Sequence, residues 1–543
     1  MKQVIKKHWP VCVALSFLWL AIAVLFALAI EKNCGTFTYY LDDPYIHMAV
    51  AKNFSQHGVW GITSELFSST TSSPLWTFLL ALIYLFSGVN NYLPFILNII
   101  FASLVILMIY ILLQKNRVNT WLTTVVMLGV VFLTPLPTLV FSGMEHTLQI
   151  LITIPYFYLA AVIIAEENHE NVKQTFKRLL IFTPFIVLIR FESLFLIAAI
   201  CLLLIWRRRW WYSLFIMFAA LIPHVIYAAI SMAKGWYFLP TSLIMKSRLP
   251  DLSSPRWVAR WLLFTLGEQL LNNPWLLMLL IVMLFLFILR VDPAGYLWNR
   301  GQVMIIIFII TTILHLQFAN TGWFFRYEAY LIVIGFVVIA LTTKGLSPGP
   351  LLLNKQSKKI NIKWPALVLL IIILVVPFMQ RTYDAFTQTP KAMNSVYEQM
   401  YQMGLFLDRY YSGNTIVIND IGAINFLADT RSIDVFGLGS EEITRLIKSN
   451  NFNSRQQIED YFMTKDVKIA ALNNLWYQEN KVPSGWIEVG SWEDKDTAFG
   501  KYKLAIFYAV DPAEEEELIK NLREFSPELP ENVIQRGKYI SND

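Results

Sequence analysis

Two adjacent carboxylates, Asp42 and Asp43, stand in "YYLDDPYIHMAV" (39–50), about ten residues beyond the first apolar run. Neighbouring carboxylates raise each other's proton affinity, and apolar surroundings raise it further. A carboxylate tuned in this way can take a proton from a hydroxyl as it reacts. A pair of them could equally hold a divalent cation. The first base on the C-terminal side is Lys52. Asp43-Pro44 has the form of a helix start, an Asp before a Pro at the first helical position. Capping accounts for Asp43 but not for Asp42. The expectation is therefore that Asp43 caps and orients while Asp42 acts. His47, four residues after Asp43, shares its helix face. It is the one further metal-ligand type nearby, although a histidine there more often just sits at the interface.

Three other acids stand near hydrocarbon, where charge is expensive and marks function by default. They are Glu145 in "FSGMEHT", Glu192 in "LIRFES" and Glu328 in "FRYEAY". Arg190 and Arg326 each precede one of them by two residues. Either each pair is a structural ion pair between helix ends, or the arginines bind an anionic head group, since guanidinium matches phosphate geometry. Lys246 and Arg248 in "IMKSR" would add to such a site, or would serve as a basic interface anchor.

The elements that must position these residues are mostly membrane-type. The 543 residues are 56% hydrophobic and 15% charged, with mean hydropathy +0.51. Soluble domains carry roughly 25% charge. Residues 381–543 hold 17 Lys/Arg and 25 Asp/Glu, and the remainder holds 27 bases against 13 acids. The bases are scattered among short loops, which excludes a nucleic-acid footprint and fits retention of Lys and Arg on the cytoplasmic side. Cys12, Cys34 and Cys201 form no disulfide framework.

About 11–12 spans are expected: 9–30, 74–88, 92–113, 119–140, 144–165, 179–189, 193–206, 210–232, 274–290, 302–319, 323–342 and 364–379. The basic loops 166–178 and 207–209 share one side, so Arg190 and Glu192 fall at a turn between two short helices. Residues 142–147 and 233–257 fall on the other side, with the long first external loop 31–73. Counting does not close between 74 and 119: "QKNR" (114–117) has an inside composition and an outside position. Ile46, Ala49/Val50 and Phe54 recur at helical spacing, predicting an amphipathic surface helix stopped at Gly58.

Residues 381–543 read as a separate mixed α/β domain. The strands are "TIVIND", "SIDVFG", "VKIAALN", "WIEVGSW" and "YKLAIFYAV", with helices at "KAMNSVYEQMYQMGLFLDRYY" and "EEEELIKNLREF".

The motifs "LDDPYIHMAVAKNF", "SSTTSSPLWTFLLAL", "FSGMEHTLQILI", "LIRFESLFLI", "FLPTSLIMKSR", "FRYEAYL" and "VINDIGAINFLADTRSIDVFGLGS" run in this order over residues 39–440. Together they resemble the GT-C superfamily of integral-membrane glycosyltransferases. The nearest branch is that of the terminal arabinofuranosyltransferases and their bacterial relatives. Two positions depart from that branch's pattern: His146 intervenes in Glu-His-Thr, and Arg-Phe-Glu stands for Arg-Pro-Glu. The resemblance implies a polytopic α-helical membrane protein: a transmembrane catalytic domain over 1–380 and an extracytoplasmic α/β domain over 381–543. It implies an inverting transfer, from a polyprenyl-phosphate sugar to a hydroxyl of a glycan, protein or lipid, on the outer face of a bacterial inner membrane. Asp42 would be the base, and Arg190, Lys246, Arg248 and Arg326 would hold the donor phosphate. Glu145, Glu192, Glu328, His47 and Asp420 would support them. Asn419 and Asp420 follow a strand, and Gly422 permits close backbone approach, as acceptor contact requires. Asp420 could equally be a turn residue. No cofactor is implied beyond a divalent cation, on which relatives differ. The competing class is a transporter or flippase of lipid-linked glycans. It suits many helices with charges at membrane depth, but the strongest constellation here lies in an external loop.

Overall fold

The computed structural model describes residues 2–166, 169–246, 254–290, 298–344, 363–474, 479–495, 497–498 and 504–540. The helical part contains α1 (Lys2–Lys32), α2 (Asp43–His57), α3 (Pro74–Ser87), α4 (Leu93–Lys115), α5 (Thr120–Leu133), α6 (Leu136–Val140), α7 (His146–Ala165) and α8 (His169–Ile189). It continues with α9 (Ser193–Trp206), α10 (Trp210–Ala233), α11 (Thr241–Lys246), α12 (Pro255–Asn272), α13 (Pro274–Leu289), α14 (Arg300–Phe318), α15 (Ala329–Thr343) and α16 (Lys363–Val396).

One expected span is not a crossing. The Tyr39 hydroxyl donates to the Asn91 carbonyl (2.6 Å) and accepts from the Phe95 N–H (3.1 Å), so α4 begins beside the end of α1. His8 meets Tyr110 at 2.7 Å, so α4 ends beside the start of α1. Helix α3 begins where Thr77 bonds His47 and finishes just before Asn90, whose carbonyl accepts from Tyr84. Both of its ends therefore lie at one end of the bundle, and it runs along α2. Its 14 residues rise about 21 Å, short of the ~30 Å hydrocarbon core. Without α3, the helices α1, α4, α5–α6, α7, α8, α9, α10, α13, α14, α15 and α16 alternate in direction. Residues 114–117 then fall at the end opposite the 31–73 loop, where Lys344 donates to the Asn116 carbonyl. Arg207 and Arg209 reach the carbonyls of Ile164 and Glu166 at that same end.

Five described helices are long and apolar enough to cross a membrane unaided: His8–Lys32, Leu93–Lys115, His146–Ala165, Trp210–Ala233 and Arg300–Phe318. Thr120–Leu133, Ser193–Trp206 and Ala329–Thr343 are apolar but shorter, and α12 meets α13 at a bend of 100°.

Helix α2 ends at Gly58, whose φ of 69° is the left-handed stop. The expectation was an amphipathic helix with one exposed face; here most of α2 is buried. It is packed between α3 and the tail, and Ile46 and Val50 join the tail's apolar core.

Helix α16 runs through residue 380, where the domain boundary was expected, and passes through a π turn (Tyr397–Tyr401) into α17 (Gln402–Tyr411). The tail then forms β1 (Thr415–Ile418), α18 (Ala423–Leu427), β2 (Arg431–Asp434), α19 (Glu441–Lys448), α20 (Arg455–Phe462), β3 (Ile469–Asn473), β4 (Ile487–Asp494), β5 (Leu504–Ala509), α21 (Glu515–Phe525) and β6 (Val533–Gly537). The sheet order is β2-β1-β3-β5-β4-β6, parallel in its first three strands and antiparallel beyond. All five residues of β3 are buried, as a central strand covered on both faces must be. The five expected strands are all present, and β6 is additional.

Candidate active site

A cavity of about 320 Å³ opens where α2, the α8–α9 turn, the residues after α10 and the end of α14 converge. Asp43, His47, Arg190, Glu192, Arg326 and Tyr327 supply its polar wall. Phe191, Leu194, Phe195, Leu239, Leu243 and Phe318 supply the apolar one, and Leu438 reaches it from the tail.

The α8–α9 turn forms as expected. Arg190 donates to Glu192 Oε2 through Nε (2.9 Å) and to Glu145 Oε1 through Nη1 (2.7 Å). This brings together "SGMEHT" and "LIRFES", which lie 45 residues apart. The second arginine departs from expectation. Arg326 bonds Asp43 Oδ2 at 2.5 Å, not Glu328. Glu328 instead pairs with Arg381 at 3.0 Å, in full burial. The reason is backbone direction. Residues 322–325 all have positive φ (75°, 41°, 57° and 64°), which turns Arg326 towards α2 and leaves Glu328 facing α16.

Tyr327 was not anticipated. Its ring lies under both guanidiniums, 5.5 Å from that of Arg190 and 4.9 Å from that of Arg326. A π face attracts each cation and so lets two positive groups share one wall. Three carboxylates (Asp43, Glu145, Glu192) meet these two guanidiniums. An anion entering the cavity would compete with these carboxylates for the guanidiniums. Arg326 Nε has no hydrogen-bond partner among the described residues, and Glu145 Oε2 has none either.

His47 is pinned by Thr77 (2.7 Å), has Ser72 Oγ at 3.3 Å, and comes within 4.0 Å of Glu145. Burial, more than the nearby carboxylates, decides its charge and holds its pKa below the ordinary value. The neutral ring can act as acceptor or donor at either nitrogen.

The two aspartates take separate partners, and the expected capping arrangement is absent. Asp42 occupies the N-cap position of α2, but its side chain makes no cap. Its carboxylate does not line the cavity and accepts from the Gly422 and Ala423 N–H groups at 2.7 Å each. These are the first amides of α18, where a helix favours negative charge. Ten residues on, Lys52 donates to the Asn425 and Phe426 carbonyls at the other end of α18. The short helix is thus gripped at both poles by α2. Only glycine fits at 422, because a Cβ there would lie 2.1 Å from the Asp42 carbonyl oxygen. Burial and the neighbouring Asp420 push the Asp42 carboxyl up to about 7, against the two amides that favour the anion. Asp420 is itself buried beside Asp42 and does not line the cavity.

The Lys246 side chain and Arg248 lie outside the described residues. Among the described residues no three His, Cys, Asp or Glu side chains gather as a metal site. Besides Tyr327, sequence reasoning missed Arg381 and Lys52. Arg381 closes the apolar run before the tail, and nothing local pairs it with a residue 53 positions upstream. For Lys52 the only signal was that it is the first base after the aspartates.

Residues 391–507 match a family model described as a domain of unknown function (DUF8728). No curated protein matches the sequence. Among solved structures, ArnT from Cupriavidus metallidurans bound to undecaprenyl phosphate superposes with TM-score 0.51 at 9% identity, over 91% of this chain and 98% of that one. The apo state of the same enzyme gives 0.48 at 10% identity, over 92% and 98%. At this identity the first of these likenesses establishes the architecture: the chain has the ArnT fold. It does not extend to the arabinofuranosyltransferase-like branch.

Proposed function

We propose that this protein is a membrane glycosyltransferase that takes a sugar from a polyprenyl-phosphate donor and passes it to an acceptor hydroxyl, with inversion. The observation that carries the reading is the pairing of Asp43 with Arg326 on the wall of a half-apolar cavity at one end of the bundle. A base and a cation-rich wall side by side are what transfer from a lipid phosphate requires. The fold it shares with ArnT, whose structure holds undecaprenyl phosphate, supports the same donor class.

In this reading the base is Asp43 and not Asp42, since Asp43 faces the cavity and Asp42 is spent on α18. The donor phosphate draws Arg326 from Asp43 and engages Arg190, with Lys246 and Arg248 as further candidates. The acceptor oxygen attacks the anomeric carbon as its proton passes to Asp43. The bond from that carbon to the phosphate oxygen breaks, and the polyprenyl phosphate leaves with the electron pair. Arg326 and Arg190 stabilise the charge that develops on it. The end of the bundle bearing loop 31–73 and the tail faces the periplasm. The basic residues at the opposite end, among them Arg117, Arg207, Arg209, Arg300 and Lys344, support this orientation. The tail, which contributes Leu438 to the cavity wall, would meet the acceptor, a glycan, protein or lipid.

The test supplies purified protein in nanodiscs with a panel of radiolabelled polyprenyl-phosphate pentoses and hexoses plus candidate acceptors. Sugar loss from one lipid establishes the activity and names the donor. Donor binding without turnover across the panel supports the transport class instead.

A further inference from the structure

Among the described residues, the segment before Arg326 holds a run of four consecutive positive-φ residues. Gly322, Trp323, Phe324 and Phe325 have φ values of 75°, 41°, 57° and 64°, a full left-handed turn built mainly from aromatic residues. Left-handed helical backbone costs roughly 1–2 kcal/mol per non-glycine residue, so such residues occur singly, not in runs. A run of three persists only where its surroundings over-determine it.

The surroundings here are a buried ion pair that the proposed chemistry does not use. Glu328 accepts the Gly322 N–H at 2.9 Å, at the start of the turn. Arg381 donates to the Phe325 carbonyl at 2.6 Å, at its end. Glu328 and Arg381 pair with each other at 3.0 Å and close the loop. The Arg381 guanidinium also lies over the Phe325 ring (5.1 Å) and the Trp275 ring (5.2 Å). The Phe324 ring stacks on Tyr40, two residues before Asp42. Arg326 is the residue that follows, and its direction is set by where the turn ends.

We infer that Arg381 and Glu328 are positioning residues, which hold the 322–325 turn left-handed so that Arg326 is aimed at Asp43 and at the donor phosphate. This rests on the proposed donor class for its functional half but not for its structural half. Arg381 touches neither the cavity nor Asp43. It comes from α16, so the inference ties the helix that leads into the tail to the phosphate wall of the cavity.

The experiment uses the full chain in nanodiscs and two readouts. The first is hydrogen exchange of residues 319–328 without lipid. The Gly322 amide is held by Glu328, so Arg381→Gln and Glu328→Gln should each speed exchange in this segment, and Arg326→Gln should not. Arg381→Lys keeps the charge but lacks the planar guanidinium whose Nη2 meets both Glu328 and the Phe325 carbonyl while lying over the Phe325 and Trp275 rings, so it should give an intermediate rate and covers the case in which Arg381→Gln does not fold. Wild-type exchange in folded Arg381→Lys and Glu328→Gln overturns the inference. The second readout is undecaprenyl phosphate affinity in a double-mutant cycle. Arg381→Gln and Arg326→Gln should each weaken binding about ten-fold or more, and the double variant should be no worse than Arg326→Gln alone. Losses that multiply would show that Arg381 does not act through Arg326 and would overturn the inference. If wild type does not bind undecaprenyl phosphate at all, the proposed donor class fails, and the exchange readout alone decides the turn.

Discussion

Gly422→Ala is a one-carbon change with a large consequence worked from the contact geometry. The new Cβ would lie 2.1 Å from the Asp42 carbonyl oxygen and 2.6 Å from both Cγ and Oδ1 of its side chain. Ordinary non-bonded contact begins near 3.5 Å, so α18 must retreat from α2 by about 1.4 Å. The Gly422 and Ala423 amides now sit 2.7 Å from Asp42. That retreat takes them to about 4 Å, beyond hydrogen-bond reach. Each bond to a charged group is worth about 1.5–3 kcal/mol, and water recovers part of it, so docking of the tail on α2 should weaken by about 2–4 kcal/mol. In full-length protein, hydrogen exchange should rise in residues 42–57 and 419–427, while β3 and β5 keep their protection. Gly129→Ala is the control. It lies inside α5 with no atom within 4 Å of its Cβ position, and should be neutral or stabilising by up to about 1 kcal/mol. Wild-type exchange over α2 and α18 in Gly422→Ala would refute the reasoning, because it would mean that no close approach exists there.

The Asp42 pKa of about 7 predicts a pH dependence of stability. The folded state holds the Asp42 proton more tightly than the unfolded chain, whose Asp titrates near 3.9. That contribution is therefore fully present below about pH 4, declines as pH rises to about 7, and is flat above. Asn mimics the protonated carboxyl at every pH, so wild type should match Asp42→Asn below about pH 4 and melt progressively lower than it as pH rises to about 7; a wild type that gains on Asp42→Asn over this window would contradict the burial argument. Arg190→Gln strands Glu145 in full burial and leaves Glu192 unpaired. It should cost about 3–5 kcal/mol in thermal unfolding, and Glu145→Gln in the same chain should recover much of the loss. Lys52→Met removes the grip on the Asn425 and Phe426 carbonyls. It should raise exchange at α18 less than Gly422→Ala does, since Asp42 still holds the other pole.

What the sequence made legible follows from the reach of each signal. Local patterns came through: α2 and its stop at Gly58, the Arg190–Glu192 turn and five tail strands depend on neighbours in sequence, which composition and periodicity report. Misreadings arose where one pattern fits two placements. Helix α3 is as apolar as a span, and only its length and the bond between His47 and Thr77 reveal that it lies beside α2. The Arg326–Glu328 pairing looked identical to Arg190–Glu192 in spacing. A left-handed turn separates the two cases, and three aromatic residues give no hint of it. The different partners of Asp42 and Asp43 were invisible for another reason. They depend on α18 arriving from 380 residues away, and sequence spacing says nothing about which of two adjacent side chains a distant helix will claim.

The central claim is that Asp43 is the reacting carboxylate and Asp42 a docking one. Turnover of the matching polyprenyl-phosphate sugar by Asp43→Asn and Asp42→Asn, side by side with wild type in nanodiscs, tests it most directly. The account predicts that Asp43→Asn stays folded but loses at least about 100-fold in turnover, the scale of a general base, and that Asp42→Asn keeps measurable turnover with a loosened α18. Full loss in Asp42→Asn with α18 still docked, and wild-type-like turnover in Asp43→Asn, would contradict it.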